Sequence, residues 1–98
     1  MARDKSTLTK EEVDTFLAKH KAWQVKNGML ERTYEWPKFL TGIAFVNEVA
    51  KLAEAADHHP DIDVRYNKVT LKLTTHDAGG LTFRDTELAD QADRIEPK

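Results

Sequence analysis

The stretch from Thr41 to His58 constrains the fold most, because Phe45, Val46, Val49, Leu52, Ala53 and Ala56 recur within it at helical spacing. A stripe of that breadth runs over roughly four turns and needs an apolar surface to lie on. In a chain of 98 residues there is room for one core, so this helix is its main element and the other segments supply the opposite side. Pro60 disfavours helical geometry at His59, which puts the helix end at about His58.

Two hairpins can provide that surface. Trp23 and Val25 alternate with polar residues ahead of Asn27-Gly28, a pair that tolerates the positive φ of a tight turn, and Leu30 to Trp36 is the return strand. Arg32 shares the parity of Leu30, Tyr34 and Trp36, which fits either a solvated or a functional face. Asp63 to Tyr66 and Val69 to Thr75 make the second hairpin around Asn67-Lys68, with Val69, Leu71 and Leu73 on one face and His76 on the polar parity. Two further helices open on capping boxes. Thr9 with Glu12 starts one that presents Val13, Phe16, Leu17 and His20 inward and ends near Lys21. Thr82 with Asp85 starts the other, with Leu88, Ala89, Ala92 and Ile95 inward.

The order α-β-β-α-β-β-α predicts an α+β fold, a four-stranded antiparallel sheet with helices packed on one face. We expect a single domain over residues 1–98, with about 1–8 and 96–98 loose. The uncovered sheet face and an edge strand predict a homo-oligomer, a homodimer or homotetramer.

Composition removes several classes of function. Fifteen Lys and Arg nearly balance seventeen Asp and Glu, so no global field draws in nucleic acid or an anionic membrane. Without cysteine there is no disulfide, thiolate nucleophile or Cys-based metal site. No apolar run approaches a membrane span, and Met1 to Thr9 lacks the apolar core of a signal peptide, which makes a cytoplasmic location the default.

The chemistry concentrates in Glu54-Ala-Ala-Asp57-His58-His59-Pro60. Two imidazoles stand where a helix runs out of hydrogen-bonding partners, and helix C-termini favour imidazolium. Alone, His-His-Pro fits two solvated histidines in a turn. His76 at the end of a strand, with Tyr66 and Asp85, strengthens the case for a site, since sites assemble at element ends. Adjacent residues on a helix project about 100° apart, a poor arrangement for a shared metal ion, so no metal is expected. Ser6 near the chain start and threonines without a triad pattern disfavour covalent catalysis. Imidazoles that titrate near neutrality are suited to moving protons, as in a dehydration.

Together Glu54, His58-His59-Pro60, Tyr66, His76 and Asp85 resemble the signature of the pterin-4a-carbinolamine dehydratase family. The likeness extends from Trp23 through Tyr66-Asn67-Lys68-Val69 to Thr75-His76-Asp77-Ala78-Gly79-Gly80-Leu81, and Ile62 departs from it where some members have an aromatic residue. The resemblance implies loss of water from 4a-hydroxytetrahydrobiopterin to give quinonoid dihydrobiopterin, without metal or redox cofactor. It implies His58, His59 and His76 as the catalytic set, with His58 and His76 transferring protons and His59 chiefly holding the pterin. Asp57, Thr75 and Asp77 are expected to add hydrogen bonds to the pterin. Glu54, Tyr66 and Asp85 are supporting residues, with Asp85 equally a helix cap or a group orienting His76. Trp23 reads as core and His20 as structural. The family likeness also admits a non-catalytic dimerisation cofactor of transcription, or a dehydratase-like protein acting on another pterin, as in molybdopterin metabolism.

Overall fold

The computed structural model describes residues 6–97. Three helices, α1 (Lys10–Lys19), α2 (Phe39–Ala56) and α3 (Phe83–Asp93), combine with strands β1 (Gln24–Lys26), β2 (Met29–Glu35), β3 (Asp61–Arg65) and β4 (Lys68–Leu73). The element order and the α+β class are those expected. Of the expected loose ends, residues 1–5 and 98 lie outside the described residues, whereas Leu8 N–H donates to Leu81 O at 2.8 Å and so is tied down.

Both capping boxes form. Thr9 accepts from Glu12 N–H while the Glu12 carboxylate accepts from Thr9 N–H, and Thr82 and Asp85 repeat the device on α3. In the first hairpin Asn27 and Gly28 both hold positive φ, 54° and 76°, as its two-residue turn demands.

The sheet order is β1-β2-β4-β3, antiparallel throughout. Leu30 faces Leu73 and Tyr34 faces Val69 across β2 and β4, and these residues with Leu71 are buried under α2 and α3. Phe45 and Val49 of α2 and Leu88, Ala89 and Ala92 of α3 complete the core, with Trp23 at its margin. The opposite face carries Glu31, Thr33, Asp63, Arg65, Lys68, Thr70 and Lys72, so it is polar and of mixed charge. Apolar exposure lies elsewhere: Ile62 and Val64 on edge strand β3, and Phe39 and Leu40 at the start of α2.

Three local expectations need correction. The turn of the second hairpin is Tyr66-Asn67, not Asn67-Lys68, because pairing Ile62 with Leu71 and Val64 with Val69 fixes Arg65 opposite Lys68. Asn67 is then used across the molecule, its amide donating to Trp36 O while its own carbonyl accepts from Trp36 N–H. Arg32 points inward: its guanidinium lies 4.1 Å over the Tyr34 ring and donates to Asp93 at 2.8 Å. Asp93 also accepts from the Trp23 indole and the Tyr34 hydroxyl, so one carboxylate at the end of α3 pins the sheet to the helix layer. Finally, α2 ends at Ala56, two residues before the predicted stop. Asp57 adopts the left-handed conformation (φ 49°), its N–H donates to Glu54 O, and His58 N–H donates to Ala53 O. That pairing is a Schellman ending, so backbone geometry at Asp57 terminates the helix before Pro60 acts.

Candidate functional site

The left-handed turn at Asp57 has a chemical consequence, because His58 and His59 are released from helical spacing and point different ways. His58 turns inward and is 8% exposed. Its Nε2 lies 2.6 Å from Oδ1 of Asp85, whose side chain is fully buried. A carboxylate only accepts, so Nε2 carries the proton and donates. Thr82 N–H and Thr75 Oγ1 both donate to the other oxygen, at 2.9 and 2.8 Å. With its proton committed to Asp85, Thr75 accepts from the Thr82 hydroxyl at 2.8 Å, and Thr82 accepts from Arg84 N–H. Every partner of the buried carboxylate is thus a donor, which is what a charge out of water requires. Its position in the first turn of α3 adds the favourable helix dipole.

His58 Nδ1 has no partner among the described residues. Only Arg32 Nε and Trp36 Nε1 are both buried and unpartnered there, so Nδ1 reaches solvent and is the nitrogen available to a small molecule.

His59 turns outward and its Nε2 meets Glu54 Oε2 at 2.6 Å, a contact made possible because the chain doubles back after α2. His76 is exposed and belongs to a 3₁₀ turn, His76–Ala78, beyond the end of β4. A bridge between Thr75 and Gly80 closes that turn, and Gly79 takes the left-handed φ of 75° that ends it.

These pieces meet in one open cavity of about 250 Å³ lined by Asp57, His58, His59, Thr75, His76 and Asp77, with Thr74 and Arg84. All six residues expected to contact a ligand are therefore brought together. Arg84 was not foreseen. Its Nη2 sits 3.4 Å from Asp57 O and 3.5 Å from Ala56 O, covering the carbonyls at the end of α2, and no carboxylate partners it among the described residues. The only signal in the sequence was its place inside the Thr82-x-x-Asp85 cap. Asp85 is both helix cap and orienting group, but the histidine it orients is His58, not His76. Tyr66 is not brought to the cavity: it occupies the β3–β4 turn with φ 52° and is 71% exposed. Ile62 also lies away from the cavity. Trp23 is core, and His20 stacks on Phe16 and bonds to Asp90 at 2.9 Å, a structural role. Among the described residues no three His, Cys, Asp or Glu side chains are grouped as a metal ion requires, and no helix is long and apolar enough to cross a membrane.

Fold and site together define a small α+β protein whose cavity is lined by three imidazoles, one of them anchored on a buried carboxylate. The chain belongs to the family described as Pterin 4 alpha carbinolamine dehydratase, whose model matches residues 6–95. A relative from Roseiflexus sp. (strain RS-1) is 51% identical over 88 residues, 90% of this chain and 95% of its own. One from Koribacter versatilis (strain Ellin345) is 50% identical over 92 residues, 93% and 97% of the two chains. Both carry the provisional name pterin-4-alpha-carbinolamine dehydratase. The crystal structure of a transcriptional coactivator/pterin dehydratase from Brucella melitensis superposes with a TM-score of 0.86 at 30% identity, over 90% of this chain and 96% of that one. A pterin dehydratase-like protein identified as a RuBisCO assembly factor in the alpha-carboxysome shares the fold, with a TM-score of 0.60 at 24% identity over 72% and 82%.

Proposed function

We propose that the protein removes water from 4a-hydroxytetrahydrobiopterin, giving quinonoid dihydrobiopterin by histidine acid/base catalysis without metal or redox cofactor. The observation that carries this reading is the opening of His58, His59 and His76 onto one cavity, with Asp85 buried behind His58. In the reaction the C4a–O bond breaks as the hydroxyl takes up a proton and leaves as water. The N5–H electron pair becomes the C4a=N5 double bond as that proton is removed. Two proton transfers at neighbouring atoms call for two groups that exchange protons near neutrality. His58 and His76 serve these transfers, and Asp85 keeps the His58 ring fixed with Nδ1 toward the ligand. His59, held by Glu54, positions the pterin, with Asp57 and Asp77 supplying hydrogen bonds, while Thr75, its proton committed to Asp85, acts through that carboxylate.

The test is dehydration of 4a-hydroxytetrahydrobiopterin by purified protein. His59→Ala and His76→Ala should remain folded and lose the acceleration, His76→Ala by about 10²–10⁴ as a proton-transfer group and His59→Ala through a weaker hold on the pterin. A wild-type protein without effect on the rate overturns the enzyme reading and leaves a non-catalytic assembly module, for which the exposed Phe39, Leu40, Ile62 and Val64 are the favouring observation. The same residues support a homodimer or homotetramer, since the open sheet face is too polar to drive association. Light scattering that finds a monomer at micromolar concentration refutes this.

A further inference from the structure

The histidine cavity continues past His76. A second, larger depression of about 410 Å³ begins there, with His76 and Thr74 lining both. Its other walls are the tip of the first hairpin, Asn27, Gly28 and Met29, and the Gly79-Gly80 loop. A Cβ built on Gly28 or Gly79 would meet nothing within 4 Å, so open space lies over both.

We propose that this depression receives the substituent a pterin carries on C6 and selects for a short hydroxylated chain. The inference rests on the dehydratase reading. C6 is bonded to N5 on the side away from C4a, so a ring whose C4a and N5 are served by the histidines must send its C6 substituent out of their cavity beside whichever imidazole serves N5. The exit past His58 is the more closed of the two, because that ring is buried and the Arg84 side chain lines both the cavity and the depression beyond it. The exit past His76 is open, because His76 is exposed and the loop after it has two residues without side chains. This orientation assigns N5 to His76 and the C4a hydroxyl to His58. The Thr74 hydroxyl, the Asn27 amide and the accessible backbone of the glycines supply polar partners for side-chain hydroxyls, and Met29 supplies an adaptable apolar contact for its carbons.

Calorimetric binding of two stable product-like pterins, 7,8-dihydrobiopterin and 6-methyl-7,8-dihydropterin, tests this without relying on turnover. Wild-type protein should bind dihydrobiopterin about tenfold more tightly, the worth of one net hydrogen bond. Met29→Trp, which fills the depression at a strand position that accepts an aromatic residue, should erase that preference and leave affinity for the 6-methyl pterin within about twofold. Asn27→Gly keeps a residue suited to the positive-φ turn and should reduce the preference by removing the amide. Circular dichroism melting of both variants checks that the fold is intact. A wild type that binds both pterins equally, or a preference unchanged in both variants, overturns the inference while leaving the dehydratase reading in place. Failure of the wild type to bind either pterin overturns both.

Discussion

Replacing Asp85 with Asn tests the joint between fold and chemistry. The amide has one acceptor and one donor where the carboxylate had two acceptors. Two donors converge on Oδ2, so the amide oxygen belongs there, with Thr75 and Thr82 N–H, and the NH₂ must face His58. It can donate to Nε2 only if the ring's proton moves to Nδ1, and with no carboxylate behind it the ring no longer makes the imidazolium that the proposed protonation of the C4a hydroxyl requires. Two hydrogen bonds fall from charged to neutral acceptor at about 1 kcal/mol each, and the third is remade in a poorer form, for a total of roughly 2–3 kcal/mol. In a domain of this size that lowers Tm by roughly 10–20 °C. Dehydration should slow by about 10²–10⁴. Thermal melting, the rate assay and ¹⁵N correlation spectra of the His58 ring read the three effects separately. Thr75→Val is the control: it removes one donor to the carboxylate and the acceptor of the Thr82 hydroxyl, costs roughly 2–3 kcal/mol and leaves the proton on Nε2. An Asp85→Asn protein with the wild-type rate, or with its proton still on Nε2, refutes the reasoning.

Other outcomes follow from groups around this centre. Burial first, and then donation to Asp93, raise the Tyr34 phenol well above its usual 10.0. A raised acid stabilises the fold fully below the unfolded value and loses that contribution as pH climbs above it, so stability in urea should fall above about pH 10. Tyr34→Phe should flatten that alkaline slope, and an unchanged slope refutes the assignment. Arg84→Gln should weaken pterin binding by about threefold to tenfold in calorimetry while shifting stability by less than about 1 kcal/mol, because its contacts to the α2 carbonyls are long and solvent-screened. Equal affinity in the variant would confine Arg84 to capping.

What was legible in the sequence had local causes. The capping boxes at Thr9 and Thr82, the Asn27-Gly28 turn and the alternation of Val69, Leu71 and Leu73 each need only a few neighbouring residues, and each forms as expected. What escaped depends on residues far apart in the chain. Asp85 pairs with a histidine 27 positions earlier, and Arg32 finds Asp93 across 61. The end of α2 was misplaced because a left-handed Asp57 leaves little mark in composition, whereas Pro60 leaves a strong one. Tyr66 had chemistry in its side chain but was placed by strand register in an exposed turn.

Every residue lining the histidine cavity falls between Asp57 and Arg84, one uninterrupted stretch of chain, whereas the neighbouring depression borrows its outer wall from Asn27 to Met29. The proton-transfer groups and the surface beside them are therefore written in separate parts of the chain. A hairpin tip can be shortened, lengthened or exchanged between relatives without disturbing the Schellman ending, the 3₁₀ turn or the cap that hold the imidazoles. Chimeras that transplant only residues 24–30 should tell whether ligand preference travels with that short passage and turnover stays behind with the other.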